Sequence, residues 1–366
     1  MLHLTEYATT TAELTAAEAG ELARMTRGAA GGGRPRVIER LAPTTTPGTY
    51  EIQPGPYVGR FALPSGRVVD IGCRFPFHDL ATLLGLGRRA TLLEEAATPG
   101  AGGRSLMDLI ALAFARQAEL VAGQGLVKAY QRRSFTRPPY PGVPAPAVHL
   151  RVHAGRPDRL ATTANRLTPD VPLNRLVATA LRRLCALQLT DRLRALLPVF
   201  RDFPDLTGRL PDVGMVPARY RDLHALSRLI LDDRTTLPVG SGVAGVSVLF
   251  NMTKIWENHV EQWLRARTPG AAVSPQHRIP LTDDRAEPTA RADFVILENG
   301  TPAAVYDAKY RPWRAIPSTD EIYQLFTYAH RLGVTHAGLV YPSATTRHAT
   351  TTISGVTLES WSIAIR

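Results

Sequence analysis

Apolar and polar positions alternate over residues 50–71, around Pro54-Gly55-Pro56 and Pro64-Ser65-Gly66, a period of two that predicts short strands joined by turns. Helical spacing replaces it downstream. Residues 105–124 place Leu106, Leu109, Ile110, Leu112, Ala113 and Leu120 at intervals of three and four, ending near Gly123 or Gly125, and residues 77–86 read the same way. From Thr168-Pro-Asp-Val-Pro-Leu173 to about residue 197, Leu176, Ala180, Leu184 and Leu187 share one face and arginines occupy another. Two more helices are expected over 220–231 and 246–267, the latter with Trp256, Val260 and Leu264 at four-residue spacing. At the N-terminus, a short helix over 12–26 precedes a glycine-rich loop at 28–35. The stretch 132–166 is rich in Pro and Arg. Its run Pro138-Pro-Tyr-Pro-Gly-Val-Pro-Ala-Pro146 excludes a regular helix or a central strand, so a connector or extended arm is expected.

The last third changes character. Residues 292–297 and 302–307 are short apolar runs flanking Glu298-Asn299-Gly300, a strong hairpin signal. A helix over 320–332 follows, and 337–341 and 351–358 supply further strands. The resulting order is helix, strand, strand, helix, strand, with no internal repeat.

Polar residues gather at one end of that hairpin: Asp293 opens the first strand, and Asp307 and Lys309 close the second. Strand side chains alternate, so Asp307 and Lys309 project from one face and Ala308 from the other. Phosphodiester hydrolysis needs such a set. Carboxylates hold a divalent cation that polarises the phosphoryl oxygen and acidifies bound water, and an ammonium orients the nucleophile. Hard oxygen ligands favour Mg²⁺, with Mn²⁺ the alternative. For a bare Asp-x-Lys the plainer reading is a solvated, salt-bridged strand end. Here Glu257 on the upstream helix, and Gln324 with Tyr328 at i and i+4 on the downstream one, tip the balance towards a site. Glu257 taken alone reads as a surface glutamate and Tyr328 as a core aromatic.

Charge agrees without deciding. The 366 residues carry a formal charge of +11 and a pI near 10.1, which favours a polyanionic partner such as DNA, although the Arg-, Ala-, Gly- and Pro-rich composition also accounts for it. Of 43 basic residues only three are lysines, at 128, 254 and 309. A compact ammonium beside a metal-bound water is not readily replaced by a guanidinium, which gives Lys309 added weight. Two distant cysteines, Cys73 and Cys185, provide neither a disulfide framework nor a zinc site. With no apolar run of about 18 residues and no signal-peptide pattern, a cytoplasmic protein without membrane contact is expected. No Gly-x-x-x-x-Gly-Lys-Ser/Thr loop is present, and Gly31-Gly-Gly33 lacks its lysine, so nucleotide hydrolysis is not expected of this chain.

At these residues the sequence resembles the McrC family, nuclease subunits of McrBC-type methylcytosine-dependent restriction systems with a PD-(D/E)xK core. Phe250-Asn-Met-Thr-Lys-Ile-Trp-Glu-Asn-His-Val260 resembles the family's acid-bearing helix. Arg291-Ala-Asp-Phe-Val-Ile296 and Val305-Tyr-Asp-Ala-Lys-Tyr310 resemble its two catalytic strands, and Glu321-Ile-Tyr-Gln-Leu-Phe-Thr-Tyr-Ala329 the Gln-x-x-x-Tyr helix shared with RecB-like nucleases. Gly59 to Ile71, Gly125-Leu-Val-Lys-Ala-Tyr130 and Leu167-Thr-Pro-Asp-Val-Pro-Leu-Asn174 extend the likeness over about residues 50–345. Arg74-Phe-Pro76 stands where the family has Pro-Lys.

The resemblance implies an α/β protein. A β-rich and helical partner-coupling module at 1–165 precedes a helical segment and a PD-(D/E)xK restriction-endonuclease-like core with a mixed sheet at 166–366. It implies Mg²⁺ held by Asp293, Asp307, the Ala308 carbonyl and Glu257, a water positioned by Lys309, and Gln324 with Tyr328 holding the DNA backbone or buttressing the site. It also implies an AAA+ GTPase or ATPase partner, McrB-like, engaged through the N-terminal half. Two other functions fit the same residues: a stand-alone RecB-like repair nuclease, and a non-cleaving subunit that stimulates a partner NTPase.

Overall fold

The computed structural model describes residues 1–26, 36–74, 105–156, 158–187, 189–207, 210–231, 247–283 and 288–365. The expected helix at 77–86 and the glycine-rich stretch at 28–35 lie outside them. The chain divides into two compact units. One comprises Met1–Thr91, Leu237–Gly245 and Leu249–Arg366, and the other Leu92–Thr236 and Val246–Val248. The N-terminal strands therefore share a unit with the last third of the chain. The division expected after residue 165 separated partner coupling from catalysis, whereas packing draws its line elsewhere.

The first unit begins with β1 (Leu2–Thr5), β2 (Thr10–Glu13), α1 (Ala16–Thr26), β3 (Ile38–Pro43), β4 (Thr49–Pro54), β5 (Tyr57–Ala62) and β6 (Val68–Gly72). The alternation at 50–71 is realised in β4, β5 and β6. Strands β2, β4 and β3 form an antiparallel sheet, and β1 runs parallel to β6, which pairs antiparallel with β5. Leu4, Leu22, Ile38, Ile52, Phe61 and Ile71 meet in one apolar core. Within it the cross-strand partners Arg60 and Asp70 form an ion pair at 2.9 Å, each about 2–3% exposed at its side chain.

The second unit contains α2 (Leu106–Gln124), β7 (Ala129–Phe135), β8 (Val143–Pro144), α3 (Pro146–His153), β9 (Thr162–Thr168), α4 (Pro172–Ala186), α5 (Asp191–Leu196) and α6 (Arg221–Leu231). Helix α2 starts where expected, because Ser105 and Asp108 form a capping box in which each side chain accepts the other's backbone N–H. The long helix expected to residue 197 ends at Ala186, and Thr190 caps a separate α5. The Pro/Arg-rich stretch is not a connector: β7 and β9 pair over seven residues, with the two-residue β8 on the free edge of β9. Its prolines occupy positions that proline tolerates. Pro144 lies in an edge strand and Pro146 in the first turn of α3.

The chain returns through β10 (Ser247–Asn251), whose residues 249–251 belong to the first unit and which adjoins β5. Helix α7 (Met252–Arg267) therefore starts later than the expected 246, with Asn251 accepting the Lys254 N–H as its cap. Then follow β11 (Ala272–Pro280), β12 (Thr289–Glu298), β13 (Thr301–Ala308), α8 (Thr319–Leu332), β14 (His336–Ser343), β15 (Arg347–Ile353) and β16 (Val356–Ala364). They make a six-stranded mixed sheet in the order β11-β12-β13-β14-β16-β15, in which β13, β14 and β16 are parallel. The hairpin is as expected, with Asn299 and Gly300 both at positive φ in its turn. The single strand expected over 351–358 is instead a second hairpin, turning at Ser354-Gly355.

Helix α8 lies on the face carrying Val305, Leu339 and Leu358, to which it adds Leu325, Tyr328 and Ala329. The other face carries Tyr306, Glu359 and Trp361, with Trp263 of α7 edge-on to Trp361. A strand covered on both faces must be apolar at successive positions, as β14 is: residues 337–342 are all buried. Among the described residues, no helix is long and apolar enough to cross a membrane.

Candidate active site

Strand β13 brings Asp307 to its end at 4% exposure, and the chain leaves the sheet immediately after Ala308. That exit places Lys309 beside the acid: its Nζ lies 2.6 Å from Oδ2 of Asp307. Asp293 on the antiparallel β12 accepts the Ala308 N–H at 2.9 Å and the Gln276 amide at 3.2 Å. Helix α8 closes the arrangement. The Gln324 amide donates to Oδ1 of Asp307 at 3.4 Å and to the Tyr328 hydroxyl at 3.0 Å, and its oxygen accepts from Lys309 at 3.2 Å. Tyr328 in turn donates to the Arg291 carbonyl at 3.2 Å. The i, i+4 spacing thus makes Gln324 and Tyr328 one hydrogen-bonded unit.

Helix α7 is anchored by Trp256, fully buried, whose indole N–H donates to the Val340 carbonyl at 3.1 Å. The same carbonyl accepts the Lys309 backbone N–H at 2.9 Å. One β14 oxygen therefore fixes both Lys309 and the helix turn that bears Glu257. Glu257 lines a cleft of about 680 Å³ together with Asp293, Asp307, Ala308, Lys309 and Gln324. All the residues singled out for chemistry meet there, Tyr328 directly behind Gln324. Among the described residues, no three His, Cys, Asp or Glu side chains gather as a preformed metal cluster. Two coupled carboxylates, with Glu257 on the same cleft, are the acidic donors available.

Electrostatics reflect that crowding. Burial, then the neighbouring Asp307 charge, pushes the Asp293 carboxyl up to about 7, against the Ala308 N–H, which lowers it. Burial likewise raises Glu257, with Lys254 opposing and Asp307 adding. Carboxylates crowded this closely are the condition a cation relieves.

The cleft also has walls that sequence reasoning did not select: Tyr7, Arg74, Thr253, Arg291, Tyr310 and Arg311. Tyr7 and Arg74 come from the N-terminal strands, more than 200 positions from the hairpin, and no spacing rule links them to it. Arg291 and Arg311 are near Asp293 and Lys309 in sequence, but in so arginine-rich a chain they gave no signal.

A mixed α/β protein with paired acids and a lysine on one cleft of a mixed sheet is thus the class to which fold and cleft assign the chain. A family model described as "McrBC 5-methylcytosine restriction system component" matches residues 52–342, and the chain belongs to that family. Among solved structures, a chain of the Thermococcus gammatolerans assembly of McrB AAA+ hexamers with bound McrC is similar to it. That chain is 17% identical, with a TM-score of 0.63, over 99% of this chain and 94% of that one. A chain of the Thermococcus gammatolerans McrBC complex is also 17% identical, with a TM-score of 0.45, over 72% of this chain and 86% of that one. No curated protein matches the chain.

Proposed function

We propose that this chain is the DNA-cleaving subunit of a McrBC-type restriction system, a divalent-metal-dependent endonuclease with a PD-(D/E)xK core. The observation that carries the reading is the meeting of Asp293, Asp307, Lys309 and Gln324 in one cleft, on strands and a helix that come together only through folding. The donor set fits Mg²⁺, which takes one or two carboxylates and keeps several waters, or Mn²⁺. Asp293 and Asp307 would hold it, helped by the Ala308 carbonyl and by Glu257. When bound, it supplies charge stabilisation and an acidified water.

The chain's own residues supply the rest. Lys309, held by Asp307 and Gln324, orients the attacking water and offsets charge on the phosphoryl oxygens. Gln324 sets the distance between acid and amine, and Tyr328 locks Gln324 to the backbone of β12. The similarity to a chain of an assembly of McrB AAA+ hexamers with bound McrC supports an AAA+ partner; that it is a GTPase or ATPase engaged through the N-terminal half, in the cytoplasm, is part of the same proposal.

The test is cleavage of methylated and unmethylated plasmid DNA in Mg²⁺, with and without the AAA+ protein and its nucleotide. Cleavage that requires the partner agrees with this reading. Partner-independent cleavage moves the chain to a stand-alone nuclease.

A further inference from the structure

Arg74 reaches the cleft from just beyond β6, and the acid–lysine chemistry makes no use of it. Its guanidinium carbon lies 4.7 Å from the Tyr310 ring centre and 5.1 Å from that of Tyr7, and an Nη2–H donates to the Tyr310 carbonyl at 2.8 Å. Beneath it sits Glu6, 1% exposed. One Glu6 oxygen accepts the Tyr310 hydroxyl at 2.8 Å, the Arg74 backbone N–H at 3.1 Å and the Cys73 thiol at 3.4 Å, with Arg74 Nε 3.8 Å away. A single buried carboxylate therefore ties the N-terminal strands to the residue that follows Lys309.

We propose that Arg74 grips a phosphate of the nucleic-acid backbone beside the acid pair, so that the N-terminal strands supply a substrate-binding group to the cleft. The inference rests on the nuclease reading above. A phosphodiester approaching Asp293, Asp307 and Glu257 meets three acids, which cations along the same cleft must offset. Lys309 is paired with Asp307, and Arg311 with Glu321. Arg291 borders the cleft from an exposed position. The Arg74 side chain lines the cleft above the fully buried Glu6 side chain, and its seat over the Tyr7 and Tyr310 rings sets it apart from Lys309 and Arg311. A guanidinium fork matches phosphate oxygens, and one held between two tyrosine rings loses less side-chain freedom on binding.

The experiment uses the full chain under the conditions in which wild type cuts, with Arg74→Ala, Arg74→Lys and Asp307→Asn compared. Cleavage of a fluorescent duplex gives kcat and KM. Anisotropy with Ca²⁺ in place of Mg²⁺ gives binding across a salt series, and thermal melts check the fold. Arg74→Ala is expected to weaken binding about tenfold, to act on KM more than on kcat, and to reduce the log–log salt slope by about one, the loss of one phosphate contact. Arg74→Lys should keep the salt slope and recover part of the affinity. Wild-type binding and slope in Arg74→Ala would overturn the proposal. So would equal losses in both variants with an unchanged slope, which mark a structural role. Wild type that cuts no better than Asp307→Asn would sink the nuclease reading itself, and this inference with it.

Discussion

The Ala308 N–H donates to Oδ2 of Asp293 at 2.9 Å, fastening the end of one strand to the acid of the next. Asp293, inside β12, and Asp307, near the end of β13, are thereby held side by side, although burial and mutual repulsion both act to keep one of them protonated. The remaining contacts of the cleft manage that strain: Lys309 faces one acid, and Gln324 bridges acid, amine and tyrosine.

Gln324→Ala should lower kcat about tenfold or more with KM nearly unchanged, because it removes one hydrogen bond to a carboxylate and one from an ammonium, each worth roughly 1.5–3 kcal/mol. Tyr328→Phe should have a smaller effect in the same direction, since Gln324 loses its link to β12 but keeps its bonds to Asp307 and Lys309. Steady-state cleavage rates check both. A rise in KM with constant kcat in Gln324→Ala would show instead that this residue only binds DNA.

Metal-free stability should depend on pH through Asp293. Its folded carboxyl titrates near 7, above the ordinary aspartate value of about 4, so between those values the folded chain keeps a proton that the unfolded chain has released. Stability must then fall as pH rises from about 4 to 7. Thermal melts in EDTA should show that decline in wild type and a flatter profile in Asp293→Asn. Identical profiles would remove Asp293 as the cause.

Asp70→Ala should destabilise the first unit by about 3–5 kcal/mol, since it removes the carboxylate 2.9 Å from the buried Arg60 guanidinium. Replacing both residues by apolar ones of similar volume should cost much less. Urea unfolding of wild type and the two variants reads the difference directly.

The legible parts of this molecule are those in which local pattern and tertiary demand agree. The hairpin at Asn299-Gly300 was readable because its turn needs two positive φ values that few other residue pairs adopt, and α2 because its apolar residues recur at intervals of three and four. Asp307, Gln324 and Tyr328 were readable because strand and helix periods place them on faces that the structure brings together, whereas Lys309 lies just past the end of its strand and reaches Asp307 by the chain's exit from the sheet. The β7–β9 sheet was not readable. Its strands expose most of their residues, so no apolar alternation marks them, and the prolines between them concealed the pairing. Ser247–Asn251 merged with the helix after it, because a buried strand and a buried helix end are both continuous apolar runs. Arg74 was beyond reach for another reason: its role depends on Glu6 and Tyr310, which meet only in three dimensions.

The most direct test of the central claim is single-turnover cleavage by wild type, Asp307→Ala and Lys309→Ala, with the AAA+ partner and its nucleotide present, in Mg²⁺ and in EDTA. The account predicts that wild type cuts only with the metal. Both variants should be slower by about a thousandfold or more, while stimulating the partner's nucleotide hydrolysis as wild type does. Variants that cut at the wild-type rate would contradict it. So would a wild type that never cuts yet stimulates hydrolysis, which would leave the cleft a scaffold.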